Sequence, residues 1–279
     1  NSQGFTIWGN WGPFAAANYN MGWHSKGGHD RTFGTNAKAW DWCSVNNAGF
    51  EYYQNAKKDG IGLPPHNPRI WVFRHQSNAS CAPMLRRVWH PIGYSSNSGW
   101  SNFFINITAG RLLTYTNTLL KFALPDIVIG TGGGYNTYDI YESVNHELSH
   151  ASHFNKVGSA FWAKYVNYII TYGKKYDHPY GDASCNNSGF CGVGEMWGYA
   201  MGYIRTYEKY QQKPKNGQSK WFQPNLLYDL MTEKILTKKQ IFDCLSSDVT
   251  SHALLKQKMI SRYPSKKDSI IAKFSRYGF

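Results

Sequence analysis

The sequence is poor in charge. Asp, Glu, Lys and Arg make up only 17% of its 279 residues, and the acidic kind is the scarcer, 17 against 30 basic. Aromatics reach 16%, so the low charge signals an ordered, core-forming chain rather than a solvated coil. No apolar run approaches the ~20 residues that span a bilayer, so no membrane span is expected. No signal peptide is visible either: the chain opens on polar Asn1-Ser2-Gln3-Gly4, as a trimmed mature chain also would. Internal repeats and low-complexity segments are lacking. Gly132-Gly133-Gly134 lacks the Lys-Ser/Thr ending of a phosphate loop and reads as a turn or cleft rim.

Cysteine is sparse, with five in the chain and no Cys-x-x-Cys or other thiolate zinc spacing. Cys185 and Cys191 bracket a short Asn/Gly loop and could close it as a disulfide. Cys43 could pair with Cys81, which leaves Cys244 as a buried free thiol. Together with the Trp, Tyr, Asn and Gly content, this favours a secreted or extracytoplasmic protein. The formal charge of +13 invites a nucleic-acid reading. Yet the lysines are scattered, most densely from Lys209 onward, and no basic run exceeds a pair. No nucleic-acid partner is expected, because solvated faces explain the charge.

What is present is His146-Glu147-Leu148-Ser149-His150, set in a stretch that reads as helix. Asp139 and Glu142 resemble a capping box, and Ile140, Val144, Leu148 and Ala151 form an apolar stripe at helical spacing. On a helix His146 and His150 lie one turn apart on one face, so both imidazoles can reach one metal ion. Glu147 lies about 100° around, off the ligand face but within reach of a water on the metal's open position. That is the geometry of metal-assisted hydrolysis, with Glu147 as general base. A surface helix carrying histidines for solubility is the plainer alternative.

A catalytic zinc site needs a third protein ligand. Glutamate is scarce beyond the motif, where only Glu195, Glu208 and Glu233 occur. Glu195 is expected to open a helix whose same face carries Gly198, Tyr199 and Gly202. Glycines there would let that helix approach the histidine helix closely enough for a carboxylate to reach the metal. The plainer reading is a glutamate favoured by the helix dipole, with glycines for ordinary packing. Asp177 and His153 stay open as third ligands. An unbroken helix, however, puts His153 about 10 Å from His146 along the axis, which suits a supporting or substrate contact better. A donor should stabilise the oxyanion as it forms; Tyr199 is the first candidate, His178 and Tyr180 the next. His24 and His29 fall in an aperiodic Gly/Asn/Trp-rich segment and receive no role.

Strands are expected at Phe5 to Trp8, Arg69 to Arg74, Phe103 to Ile107 and Asp126 to Gly130. Helices are expected at Ser44 to Lys58, Leu112 to Ala123 and Ala160 to Tyr172, the last capped by Ser159 and closed by Gly173. A loop from Lys174 to Gly194 should precede the Glu195 helix, which runs to about Lys209. Short helices at Leu226 to Lys234, Lys238 to Leu245 and His252 to Arg262 then lead to a basic tail. Strands first and helices after suggest an α+β fold. The expected unit is a single domain over residues 1–279, with lobes of about 1–157 and 158–279.

With Gly194-Glu195-Met196-Trp197-Gly198 downstream of His146 to His150, the chain resembles the zincin metallopeptidases of the gluzincin type. The resemblance covers these two short helices only. It implies Zn2+ held by His146, His150 and Glu195, a twisted sheet ahead of the active-site helix, an edge strand lining the cleft, and a helical lower lobe. Metzincins need Gly and His where this chain has His153 and Lys156. Aspzincins need a Gly-Thr before the aspartate, and Tyr172 to Tyr176 does not supply it, although Asp177-His178-Pro179-Tyr180-Gly181 matches the second half of their motif. The expected activity is zinc-dependent peptide hydrolysis of a protein, peptide or glycoprotein substrate, by a zinc-bound water that Glu147 activates. Two alternatives are a glycan- or peptide-binding protein on a zincin-like scaffold and a structural metal site with every position closed.

Overall fold

The computed structural model describes residues 4–9, 31–74, 80–92, 125–132, 134–176, 180–214 and 220–279. The expected strand at 103–107 and helix at 112–123 lie outside these, as do His24, His29, Asp177 and His178. Within them the chain combines many helices with one small sheet, a mixture compatible with the α+β expectation. The strands are β1 (Thr6–Trp8), β2 (Arg69–Phe73) and β3 (Ile127–Gly130), in that spatial order and all parallel. β2 sits centrally, with Ile7 opposite Ile70 and Trp71 opposite Val128. Both edges of β2 are thus paired, one by each neighbour. On the far side of β3, Cys81 pairs antiparallel with Val128 through both backbone bonds, at 3.0 and 2.8 Å.

Helix α1 (Lys38–Asp59) joins β1 to β2 and ends on Gly60, whose left-handed conformation (φ 69°) lets its N–H reach Ala56 and Lys57 carbonyls. It begins six residues before the expected Ser44, because Val45, Ala48 and Tyr52 continue a buried face that Ala39 and Asp41 start. After β2 comes α2 (Leu85–Ile92), and after β3 the histidine helix α3 (Thr137–Val157). The cap of α3 is Asn136, not Asp139. The Asn136 side chain accepts from the Asp139 N–H, and the Asp139 carboxylate accepts from the Asn136 N–H, both at 3.1 Å. The capping box therefore sits three residues earlier than the Asp139/Glu142 reading.

Helix α4 (Ser159–Tyr176) runs on through Gly173 instead of stopping there. Helix α5 spans Ser188–Tyr210, so Glu195 lies two turns inside it rather than at its start, and the expected loop to Gly194 is much shorter. Next come α6 (Asn225–Thr232), α7 (Lys238–Cys244), α8 (His252–Arg262), a 3-10 turn (Pro264–Lys266) and α9 (Lys267–Arg276). The expected basic tail is thus helical, because Ile270 and Phe274 give it a fully buried face.

All five cysteines are free thiols, so neither expected disulfide forms. Cys191 is inside α5 and buried in the core, not at the end of a loop, and Cys43 stands exposed on α1. The cysteine argument for an oxidising compartment falls with them. No helix among the described residues is long and apolar enough to cross a membrane.

Helix α3 is the axis of the molecule. From Val144 to Phe154 every residue is buried, not only the apolar stripe. α5 packs along one side of it, α1 along another, and α4 and β3 also touch it. A helix enclosed on all sides buries its polar residues too, and each then needs a partner. Ser152 shares a 2.7 Å hydrogen bond with Tyr52 of α1, and the Trp197 indole of α5 donates to the Ser149 carbonyl. These polar ties fix α1 and α5 against the histidine helix.

Candidate metal centre

The helical repeat brings His146 and His150 to one face of α3, and there the two Nε2 atoms lie 2.9 Å apart. Opposite them stands Glu195 of α5. Its Oε2 is 3.5 Å from His146 Nε2 and 3.6 Å from His150 Nε2. A tetrahedral zinc with ligand bonds near 2.0–2.1 Å places its ligand atoms about 3.3 Å apart. The observed triangle of two nitrogens and one oxygen is of that size.

The approach of α5 depends on glycine. A β-carbon at Gly198 would lie 2.6 Å from His150 Nε2 and 3.2 Å from His146 Cε1, inside the space of both rings. One at Gly202 would fall 3.1 Å from the Glu142 carbonyl oxygen. Glu195, Gly198 and Gly202 thus share the face turned to α3, as helical spacing requires. The Glu195 carboxylate is not at the helix start, so the dipole explanation for it no longer applies.

Glu147 also borders the cluster. Its Oε1 lies 3.8 Å from His146 Nε2. His146, Glu147 and His150 together form a buried group whose ligand atoms all lie within 4.8 Å of one another. Of the two carboxylates, Glu195 is the better third donor, because one oxygen faces both nitrogens at nearly equal distance. Glu147 leans to one histidine from the neighbouring helical position, and its Oε2 is buried with no hydrogen-bond partner.

The orphaned atoms argue in the same direction. Glu195 uses Oε1 to accept a hydrogen bond from the Tyr165 hydroxyl of α4, whereas Oε2 has no hydrogen-bond partner. A buried carboxylate oxygen aimed at two imidazole nitrogens is costly alone, and a cation between them would satisfy all three. The residues present fit a metal of the zinc type, with two imidazoles and one carboxylate.

Protonation suits this as well. Burial, followed by the neighbouring His150, lowers His146 to a pKa of about 4, so its imidazole is neutral and able to ligate near pH 7. Burial pulls Glu195 upward, but the imidazoles of His150 and His146 facing it outweigh that and hold the carboxyl well below the ordinary range. Glu147 is pushed well above that range, first by burial and then by the Glu195 charge. A cation at the cluster would draw it back down.

Tyr199 lies beside the histidines: its ring meets His146 edge-on with centroids 4.3 Å apart. Its hydroxyl shares a 2.8 Å hydrogen bond with the Tyr180 hydroxyl. Both phenols are pushed well above their usual pKa, by burial first and by Glu195 next, and so remain proton donors. His153 is not part of the cluster. It is fully buried against Phe161 and Trp162, with ring centroids at 5.3 and 5.7 Å and neither nitrogen hydrogen-bonded.

Two neighbours were not legible in the sequence. Tyr165 fixes Glu195, and its only signal was membership of an aromatic helix. Lys220 brings its ammonium to 4.5 Å from the Tyr199 ring centre and 4.8 Å from that of Tyr180. No motif or spacing marks it. No family model, curated protein or solved structure matches this chain.

Proposed function

We propose that the protein is a zinc-dependent peptidase of the gluzincin type, a zincin-like fold in which His146, His150 and Glu195 hold the metal. The observation that carries this reading is the Glu195 oxygen without a hydrogen-bond partner, lying within 3.6 Å of both histidine nitrogens across two packed helices.

A bound zinc would supply Lewis-acid chemistry, polarising a water and the scissile carbonyl. The chain's own groups do the rest. Glu147 takes the proton of the attacking water and hands it to the departing amine. Its place beside the ligand face, not on it, leaves the carboxylate free for that work. Tyr199, with Tyr180 holding its hydroxyl, offers a phenolic donor near His146 for the developing oxyanion. Burial keeps bulk water from competing for these donors. The substrate on this reading is a protein or peptide, and the Trp- and Tyr-rich composition fits an extracytoplasmic setting.

The test is elemental mass spectrometry on wild type, Glu195→Ala and Glu147→Gln, with peptide turnover measured on the same samples. One zinc per chain is expected in wild type and Glu147→Gln, with little in Glu195→Ala. Turnover should drop by about 10²–10⁴-fold or more in Glu147→Gln. A wild type that binds no zinc, or a Glu147→Gln enzyme with undiminished turnover, would sink the reading.

A further inference from the structure

Lys220 is half-buried beside the cluster and has no carboxylate within ion-pair distance among the described residues. Its ammonium lies over three aromatic rings, at 4.5 Å from Tyr199, 4.8 Å from Tyr180 and 5.8 Å from Phe222. One of those rings borders the histidines and the other two support it: Tyr199 touches His146, Tyr180 is hydrogen-bonded to Tyr199, and Phe222 stacks on Tyr199 with centroids 5.7 Å apart.

Aromatic faces attract a cation, by ~0.5–1 kcal/mol where water is near and ~2 when it is excluded. They hold the ammonium in place but do not neutralise it. Two more deeply buried lysines find acids: Lys273 bonds Glu233, and Lys238 bonds Glu208. Lys220 has only the field of Glu195, which offsets in part the lowering of its pKa by burial. A half-buried cation with no ion-pair partner among the described residues is suited to an incoming anion.

We infer that Lys220 is a specificity-determining residue that binds a carboxylate of the substrate, so that the preferred peptides carry a free C-terminus or an acidic side chain close to the scissile bond. This rests on the peptidase reading for its substrate class, but the cation and its ring cradle are independent of the metal. Lysine suits the role as a compact point charge, and the rings of Tyr180 and Tyr199 hold the ammonium beside the cluster.

The experiment uses full-length protein carrying Glu147→Gln, so that peptides bind without being cut, and compares Lys220, Lys220→Met and Lys220→Arg by calorimetric titration. The probes are acetylated peptides in matched pairs: a free C-terminus against a C-terminal amide, and Glu against Gln at each position. In the Lys220 protein, one carboxylate-bearing member should bind about 10–100-fold tighter than its neutral partner, the usual worth of a charge-assisted hydrogen bond. The pair that shows this identifies the source of the carboxylate. Lys220→Met should erase the difference and Lys220→Arg should keep most of it. A preference that survives Lys220→Met, or that is absent in the Lys220 protein, overturns the inference; so does failure of every carboxylate peptide to bind. Zinc measured on the same samples separates the two claims. Zinc present without discrimination refutes only the role of Lys220, while discrimination without zinc refutes only the metal reading.

Discussion

The Tyr165–Glu195 hydrogen bond decides what kind of ligand Glu195 can be. With Oε1 occupied by the phenol, only Oε2 faces the histidines, so a metal held as proposed would meet the carboxylate through one oxygen. Burial and then Glu195 push the Tyr165 hydroxyl well above its usual pKa, so it stays a donor throughout the working pH range. Groups that orient a metal ligand in this way typically govern affinity by about 10–100-fold. Tyr165→Phe removes one oxygen from a packed site and leaves the ring, which also neighbours His150 and Trp162. The expected result is zinc affinity lower by about that factor, with the unfolding midpoint of the metal-free protein little changed. Competition with a chelator of known affinity would measure it, and an unaltered affinity would show that Glu195 needs no such support.

At the scale of elements, the site is a contact between α3 and α5, and Gly198 is the position on α5 that faces the two histidine rings. Gly198→Ala would place a methyl group in the space of His150 and His146. Overpacking of this kind costs about 1–3 kcal/mol when the neighbours can move only slightly. Here the neighbours are the proposed ligands, so relief by shifting them should also weaken zinc binding. Loss of zinc at unchanged helicity is expected by circular dichroism and metal analysis, whereas full zinc occupancy would show the helices free to separate. The same contact explains what the sequence revealed and what it hid. The two histidines, Glu147 and the shared face of Glu195, Gly198 and Gly202 follow from helical geometry within each segment, and such spacing is visible in one dimension. The start of α5 was not, because Asn187-Ser188-Gly189-Phe190-Cys191-Gly192 has the composition of a loop. Those glycines answer to packing instead: a β-carbon at Gly189 would meet the Thr250 carbonyl at 2.0 Å, and one at Gly192 would meet His252 at 2.7 Å. Tertiary contact overrode propensity there. The Tyr165 and Lys220 contributions come from other elements altogether, and no local pattern records such meetings.

For the molecule as a whole, the buried histidines set how stability depends on pH. His252, at the start of α8, is stacked on the C-terminal Phe279 with centroids 4.1 Å apart, and its Nε2 is buried with no hydrogen-bond partner. Burial lowers its pKa to about 4, from an ordinary 6.5. The unfolded chain therefore binds a proton below about pH 6.5, and the folded chain refuses it until about pH 4. Between these values the unfolded state holds more protons, so stability must fall as the pH falls. His146 and His153, lowered to about 4 and about 3, act in the same direction. Glu147 acts oppositely: its raised pKa lets the folded chain keep a proton that the unfolded one releases above about pH 4.5. The His252 share can be isolated because it lies away from the cluster of His146, His150 and Glu195. His252→Gln removes the titration and adds an offset that does not vary with pH. The stability of wild type relative to this variant should then decline by about 2–3 kcal/mol from pH 7 to pH 4, close to 1.4 kcal/mol per unit of pKa shift. Denaturant titrations of metal-free protein at several pH values would measure it. A difference that stays constant across that range would mean that the folded chain admits the proton as readily as the unfolded one, and that the pocket around His252 opens to water before the domain unfolds.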